Sequence, residues 1–290
     1  MDISLLNELK RNKILRAIFF PIIFVYRKYN QIRGKIITVF FDYLFRPIRE
    51  GSVLASVSWF DGSFFFDPRS QSLKRILIYR DYEKSFSQIL RKLAKEGADV
   101  IDVGANVGMH TVLCAKSIPR ANRVLAIEPI PSALRYLEAN IAQNKVRNKV
   151  IIFKGAVADK QKKKIVMNYT AGFEEYSRIG SVVHHAIKDR ETQKISVSCE
   201  TVDSLVDKYA LQPSLIKIDT EGADFLVLKG AQKTIKKFNP VITCEFVPET
   251  QADYHIKGEQ ILNFLNSNSY EVTFIEKEII LAKPKATKQK

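Results

Sequence analysis

The chain has 290 residues, of which 46% are hydrophobic and 27% charged, and its formal net charge is +15. This composition excludes an intrinsically disordered chain and is typical of a globular protein with one large core, or a core plus a small accessory unit. The cysteines Cys114, Cys199 and Cys244 are odd in number and form no Cys-x-x-Cys pair, so neither a disulfide framework nor a zinc site is indicated. Unpaired cysteines in strand and helix patterns are compatible with a reducing compartment, and we expect a cytoplasmic protein.

The excess positive charge is concentrated at the two ends of the chain. Residues 1–50 carry 10 Lys/Arg against 4 Asp/Glu, and residues 283–290 carry 4 lysines. A protein that reads duplex nucleic acid is expected to carry its excess charge on the folded face that meets the phosphates, so this distribution disfavours a nucleic-acid partner. The local basic run at 160–164 is interpreted as a solvated turn before a strand at 165–168.

The first 50 residues form a basic amphipathic segment with apolar blocks at 14–26 and 36–45. Each block is interrupted or closed by arginine and proline, so neither reaches the roughly 20 apolar residues of a membrane span. Basic residues rather than small ones follow the first block, so a cleaved secretory signal is not indicated. Residues 10–49 can associate peripherally with an anionic membrane, or they can form a helical cap or an oligomer contact, and both alternatives remain open.

A small lead-in element is predicted over residues 51–98. Apolar side chains alternate along 53–57, and Asp61-Gly62 is a turn signal, so a short antiparallel pair is expected here. Apolar residues at core spacing then predict a helix over 79–96, which Gly97 ends.

The most informative segment is an apolar strand predicted at 99–103 that runs into Gly104, Asn106 and Gly108 and opens a helix near 107–117. Glycines at these positions let the backbone turn sharply and approach a ligand closely, and the free amides of the helix offer hydrogen-bond donors to an anionic or carboxylate group. The spacing is Asp-x-Gly-x-Asn-x-Gly, starting at Asp102, which differs from the Gly-x-Gly-x-x-Gly of dinucleotide dehydrogenases. The next strand, at 123–127, leads into Glu128, which is placed to accept both hydroxyls of a ribose.

Carboxylates also follow two later strands. The strand predicted at 214–219 ends in Asp219, with Glu221 two residues on, and the strand at 240–246 carries Glu245. Ligands of open α/β sheets bind at the carboxyl ends of the strands, so these side chains and those of the glycine-rich turn are expected to converge. The three carboxylates can ligate a divalent ion, but no spacing in the sequence fixes one, and no metal is predicted.

Residues 168–193 break the alternation of strands and helices. This insertion is rich in aromatic, hydroxyl and charged residues, and long loops inside a compact domain are usually lids or binding loops. The adjacent His184 and His185 would point to opposite faces of an extended segment, so at most one enters a pocket. Residues 283–290 are predicted to be a disordered tail.

The two motifs together resemble those of FkbM-type methyltransferases, through the segments Asp102–Gly108 and Lys217–Gly222. The stretches Phe60–Pro68, Tyr82-Glu83 and Glu96-Gly97 are similar to the family's β-rich lead-in, so the resemblance covers residues 52 to 276. One departure is Asp224, where the family commonly has a glutamate.

The resemblance implies an α/β fold of the class I methyltransferase, Rossmann-like type, with a mostly parallel sheet and one antiparallel strand in a closing hairpin. Residues 99–282 would be the catalytic domain that binds S-adenosylmethionine, with Asp102, Gly104, Asn106, Gly108 and Glu128 around the cofactor. The further predicted strands lie at 150–157, 270–276 and 278–282, and the further helices at 131–144, 203–209, 222–237 and 257–267.

The resemblance also implies O-methylation of a hydroxyl on a glycan, glycolipid or secondary metabolite. Transfer to a hydroxyl needs a base near the acceptor, and Asp219, Glu221 and Glu245 are the candidates. Glu221 can instead stabilise a helix N-terminus, and His110 is expected to line the methionine end of the cofactor. The alternatives are a protein or nucleic-acid methyltransferase and a catalytically silent binding protein of the same fold.

Overall fold

The computed structural model describes residues 51–80, 82–180 and 187–285, together with Ile32. His184, His185, nearly all of the N-terminal segment and residues 286–290 lie outside the described residues, so the expectations for them stay predictions. The domain boundaries expected near residues 50, 98 and 282 also stay predictions. Among the described residues, no helix has the length and hydropathy needed to cross a bilayer.

The strands of the described residues are β1 (Val53–Val57), β2 (Gly62–Phe66), β3 (Asp99–Val103), β4 (Val124–Glu128), β5 (Val150–Lys154), β6 (Ala156–Val157), β7 (Lys162–Tyr169), β8 (Arg178–Ile179), β9 (Gln193–Glu200), β10 (Pro213–Ile218), β11 (Val241–Glu245), β12 (Tyr270–Glu276) and β13 (Ile279–Pro284). The helices are α1 (Gln71–Tyr79), α2 (Lys84–Glu96), α3 (Met109–Ser117), α4 (Pro131–Gln143), α5 (Val202–Tyr209), α6 (Asp224–Gly230), α7 (Gln232–Phe238), α8 (Pro248–Ala252) and α9 (Gly258–Ser267).

The central sheet has seven strands in the order β12-β13-β11-β10-β3-β4-β5. β3, β4, β5, β10 and β11 are parallel, and β13 is antiparallel to β11 and to β12. The sheet therefore has one antiparallel strand, β13, within a closing hairpin, as predicted for a class I methyltransferase fold. β3, β4 and the end of β10 are buried, which fits strands that are covered by helices on both faces.

The lead-in hairpin is fixed beside the glycine-rich turn by one buried amide. β1 and β2 pair antiparallel, as predicted, with Val57 opposite Gly62. The side chain of Asn140, on α4, accepts a hydrogen bond from the backbone N–H of Phe65 (2.6 Å) and donates to the carbonyls of Phe65 (3.0 Å) and Val107 (2.8 Å). Because Val107 belongs to the turn after β3, Asn140 links the hairpin directly to that turn.

Two predicted helices have the wrong bounds: the helix before β3 and the helix after β10. The helix expected over 79–96 begins at Lys84, and Tyr79 instead ends α1. Residues 71–82 belong to a compact unit that is distinct from the rest of the described chain. The helix expected over 222–237 is two helices, α6 and α7, which meet at Ala231. α6 begins at Asp224 rather than at residue 222, because Glu221 and Gly222 both have positive φ, which an α-helix does not allow.

A second sheet lies outside the predicted plan. It has four strands in the order β6-β9-β7-β8, and β7 and β9 form a long antiparallel pair within residues 162–200. The insertion expected over 168–193 is thus largely the end of this hairpin, with β8 paired to β7 inside it. The basic run at 160–164 overlaps the start of β7, where its lysines are exposed.

Candidate active site

The turn after β3 is set by two glycines and brings β10 close to it. Gly104 has φ +75° and Gly108 has φ +88°, both in the left-handed region that glycine adopts without strain. A Cβ on Gly104 would lie 1.9 Å from the carbonyl oxygen of Asp219, so the backbone after β10 packs directly against this turn. A side chain at 104 would therefore separate the two strand ends before it reached any ligand.

Glu128, at the end of β4, holds the turn through both carboxylate oxygens. Its Oε2 accepts from the backbone N–H of Asn106 (2.8 Å) and its Oε1 from that of Ile130 (2.9 Å). Burial raises the pKa of Glu128 to about 7, although the two backbone hydrogen bonds act in the opposite direction. Each oxygen still has a lone pair with which it can accept a ribose hydroxyl. The carboxylate thus fits the role that the sequence predicted for it.

Lys217 connects the turn to the candidate base. It is the last residue but one of β10 and is buried, with Nζ 2.9 Å from the carbonyl oxygen of Gly104, 3.1 Å from Asp102 Oδ1 and 3.4 Å from Asp219 Oδ2. The other oxygen of Asp102 accepts from Thr111 Oγ1 (2.6 Å). Burial would lower the pKa of Lys217, but the carboxylates of Asp102 and Asp219 outweigh it and hold that pKa above its ordinary value. Lys217 is therefore a buried cation shared by two sites.

The contacts of Asp102 indicate that this side chain positions the turn after β3. Its carboxylate is almost fully buried and engaged by Thr111 and Lys217, so in this structure it positions the turn rather than facing a ligand. Contact of Asp102, Gly104, Asn106, Gly108 and Glu128 with a cofactor stays a prediction. His110, expected at the methionine end, has its Nε2 3.0 Å from Glu83 Oε2.

The three predicted catalytic carboxylates meet at the carboxyl edge of the sheet. Asp219, Glu221 and Glu245 each place one oxygen within 4.8 Å of the other two. Glu221 does not reach this point through extended backbone. β10 ends at Ile218, and Glu221 has φ +54°, so a left-handed turn directs the side chain back to Asp219.

Crowding and burial keep protons on this cluster. Burial is the largest cause that raises the pKa of Glu221 well above its usual range, and the charge of Asp219 adds to it. Burial, followed by the charges of Asp219 and Glu221, raises the pKa of Glu245 to about 10. Three carboxylates at this distance do not all ionise unless a cation joins them. Their hard oxygen donors would suit Mg²⁺ or Ca²⁺.

Asp224, rather than Glu221, lies at the N-terminus of α6, where the sequence analysis allowed Glu221 to stabilise a helix. Its Oδ1 accepts from the backbone N–H of Thr220 and its Oδ2 from that of Gly222, each at 3.2 Å. Burial, together with the charge of Asp219, raises the pKa of Asp224 to about 6. The shorter side chain at this position therefore holds the turn that carries Glu221.

Two site residues were missed by sequence reasoning. Lys217 had a signal, because a lysine within an otherwise apolar strand must be buried and paired. Arg178, whose charge acts against the rise in the pKa of Glu221, had none, because β8 is two residues long and the insertion around it shows no periodicity.

The sequence matches the methyltransferase FkbM domain over residues 102–272, which is more than half of the chain. The chain belongs to the FkbM methyltransferase family. S-adenosylmethionine is the cofactor of this family, and the Glu128 carboxylate and the glycine turn fit it.

Curated relatives differ in the substrate that their names state. The chain is 31% identical over 133 residues to tRNA (guanine(37)-N(1))-methyltransferase Trm5b of Pyrococcus abyssi, covering 43% of this chain and 39% of that protein. It is 27% identical over 177 residues to hexuronic acid methyltransferase AglP of Haloferax volcanii, covering 59% of this chain and 66% of that protein. The chain thus spans less than two thirds of the length of both relatives. An FkbM methyltransferase structure from Methylobacillus flagellatus is 16% identical with a TM-score of 0.42, covering 64% of this chain and 43% of that one.

Glu128→Ala should weaken the binding of S-adenosylhomocysteine by about 1 to 3 kcal/mol, because the ribose hydroxyls lose a buried acceptor. Ribose hydroxyls bond best to the ionised carboxylate, so the affinity of the parent should rise with pH up to about 7 and level off above it. Glu128→Gln cannot ionise and should show no such rise. Calorimetry between pH 5.5 and 8.5 measures this, with Glu138→Gln, at a partly exposed glutamate paired with Lys154, as control. Parental affinity and pH dependence in the Glu128 variants would remove this residue from the cofactor site.

Proposed function

We propose that the chain is an O-methyltransferase that moves the methyl group of S-adenosylmethionine to a hydroxyl of a glycan, glycolipid or secondary metabolite. The observation that carries the proposal is the convergence of Asp219, Glu221 and Glu245 beside the glycine-rich turn. When bound, the cofactor supplies the methyl group as an electrophile on its sulfonium. Methyl transfer is then an in-line displacement for which the protein supplies alignment and a base.

Asp219, Glu221 and Glu245 would have different roles in proton transfer. Asp219 has 39% of its side chain exposed, and Lys217 contacts one of its oxygens. Glu245, with a pKa of about 10, keeps its proton near neutral pH and can donate a hydrogen bond to an acceptor oxygen. Asp219 or Glu221 then takes the proton of the acceptor hydroxyl as the new bond forms.

A carbohydrate acceptor is favoured over a nucleic acid by two observations. The relative AglP is named for hexuronic acid and covers more of this chain than Trm5b does. The positive charge, moreover, is concentrated in the terminal segments, whereas a nucleic-acid enzyme needs it on the folded face. The similarity to Trm5b keeps tRNA methylation as the second candidate. The proposal includes a cytoplasmic location with residues 10–49 in peripheral contact with a membrane, a contact that salt should weaken.

The test is transfer of a labelled methyl group from S-adenosylmethionine into separated glycan, lipid, protein and tRNA fractions of a cell extract. We expect label in the glycan or lipid fraction, and we expect it to resist mild alkali, since a methyl ether is stable where a methyl ester is hydrolysed. Label in tRNA would establish the second candidate instead. Binding of S-adenosylhomocysteine without transfer into any fraction would indicate a catalytically silent member of the fold.

A further inference from the structure

Arg178, on β8, is a buried cation, and two of its three nitrogens, which carry three of its five N–H donors, have no hydrogen-bond partner among the described residues. Its side chain has no exposed surface, and its Nη1 forms an ion pair with Asp253. Its Nε and Nη2 have no hydrogen-bond partner among the residues that the structure describes. Buried charged groups are normally paired and hydrogen-bonded throughout, because an unpaired buried donor is costly. The unused part of the guanidinium therefore needs an explanation.

The unpaired atoms define the shape of the missing partner. Nε and Nη2 lie on one edge of the planar guanidinium and direct two N–H bonds in parallel. That edge matches two oxygens of a carboxylate or a phosphate, which it binds in bidentate fashion. A single hydroxyl or carbonyl oxygen would have to accept from both donors at once, with poorer geometry than the two oxygens of an oxyanion offer. The arrangement thus selects an oxyanion.

A short chain of contacts places Arg178 beside the acid cluster. Gly222, which follows Glu221, packs on α8: a Cβ there would lie 2.3 Å from the carbonyl oxygen of Thr250. After α8 come Asp253, the partner of Arg178, and Tyr254, whose hydroxyl accepts from the N–H of Ile179 (3.0 Å) and donates to its carbonyl (3.2 Å). β8 is therefore attached to the residues that follow α8, and α8 packs on the turn that carries Glu221.

Electrostatics at this point are compatible with an anion. The charge of Arg178 is near enough to Glu221 to act against the rise in the pKa of that residue, although burial still dominates.

We propose that Arg178 binds an anionic group of the methyl acceptor, a sugar carboxylate, through its Nε and Nη2. This inference rests on the proposed function, because it assigns the acceptor to the acidic sugars and makes Arg178 a specificity residue at that site. A phosphate ester shares the required chemistry, and the test separates the two.

The test measures binding to the full chain saturated with S-adenosylhomocysteine, so it needs no methyl transfer. D-glucuronate and D-glucose are a matched pair that differ in a carboxylate, and inorganic phosphate is the third probe. We expect glucuronate to bind by calorimetry and glucose not to bind. Arg178→Lys keeps the charge but loses the fork, and it should weaken glucuronate binding by about 10-fold to 100-fold. Stronger binding of phosphate than of glucuronate would assign the edge to a phosphate ester.

The control is Arg190→Lys, the same change at an exposed residue that stacks on Phe173, and it should behave as the parent. Unchanged S-adenosylhomocysteine affinity and an unchanged melting temperature show that Arg178→Lys still folds, and Asp253→Asn offers a second variant that alters only the ion pair. Equal glucuronate affinity in parent and Arg178→Lys would overturn the proposal, as would failure of the parent to bind either anion. Loss of S-adenosylhomocysteine binding in Arg178→Lys would assign the edge to the cofactor carboxylate. Anion binding without methyl transfer would leave this inference standing and contradict the proposed function.

Discussion

Glu221→Gln and Asp219→Asn should each preserve the affinity for S-adenosylhomocysteine, and the one that removes the base should lower turnover by about 100-fold to 10,000-fold. A sugar hydroxyl is far less acidic than a carboxylic acid, so the proton must leave as the methyl bond forms. Amide substitution keeps the size of each side chain and removes its basicity. Single-turnover methyl transfer with saturating acceptor measures the effect.

The pH dependence identifies which of the two is the base. The pKa of Glu221 is raised well above its usual range by burial and by Asp219, so a larger fraction of it ionises as the pH rises. If Glu221 is the base, turnover of the parent should keep rising with pH above the usual titration range of a carboxylic acid, and Glu221→Gln should lose that rise. Glu249→Gln, an exposed change on α8, is the control and should match the parent.

Near-parental turnover in both amide variants would place the base elsewhere, with Glu245, His184 and His185 next to be tested. Loss of cofactor binding in either would instead move that carboxylate into the binding site. These two outcomes are distinguishable because binding of S-adenosylhomocysteine is measured separately from methyl transfer.

Lys217→Met should lower the free energy of unfolding by about 3 to 5 kcal/mol, because it leaves the buried carboxylate of Asp102 without its cation. Asp102 is almost fully buried, and Thr111 supplies one hydrogen bond but no charge. Urea unfolding, followed by fluorescence and by circular dichroism, measures the loss. The double variant Asp102→Asn/Lys217→Met should recover part of it, since an amide is less costly to bury than an unpaired carboxylate.

The control for this prediction is Lys229→Met. Lys229 is partly exposed, with Nζ 3.7 Å from Asp159 Oδ2, and exposed pairs contribute about 1 kcal/mol or less. A loss no larger for Lys217→Met than for Lys229→Met would show that Asp102 is not ionised in the folded protein. Additive effects of Asp102→Asn and Lys217→Met would show that the two side chains do not interact.

The central sheet could be predicted because each of its parallel strands can be recognised from residues that are adjacent in the sequence. Each parallel strand is a short apolar run followed by a glycine or an acidic residue, and the apolar periodicity of the helices between them is regular. β9 was missed for the opposite reason: Gln193–Glu200 carries polar side chains at most positions and buries only one of its faces. It forms a strand because β7 pairs with it, which is information held thirty residues away in the chain.

The convergence of the carboxylates was also predictable, since strand ends of a parallel sheet share an edge. The route of Glu221 was not, because a left-handed glutamate depends on close packing of Gly222 against α8. Arg178 could not be found from the sequence at all. Its importance comes from which of its donors are paired, and that depends on Asp253, which is 75 residues away.

The parallel pairing of β6 with β9 has a consequence for how such chains diversify. Ala156 lies opposite Cys199 and Val157 opposite Glu200 in the second sheet, so the excursion through β7 and β8 begins and ends at neighbouring points. An excursion with adjacent ends can grow or shrink at little entropic cost, since doubling a loop adds only about 0.6 kcal/mol. We therefore expect changes in the length of this excursion to cost little chain entropy. We predict that grafting it between relatives transfers the acceptor preference proposed for Arg178, while the strands that carry Asp102 and Glu128 stay as they are.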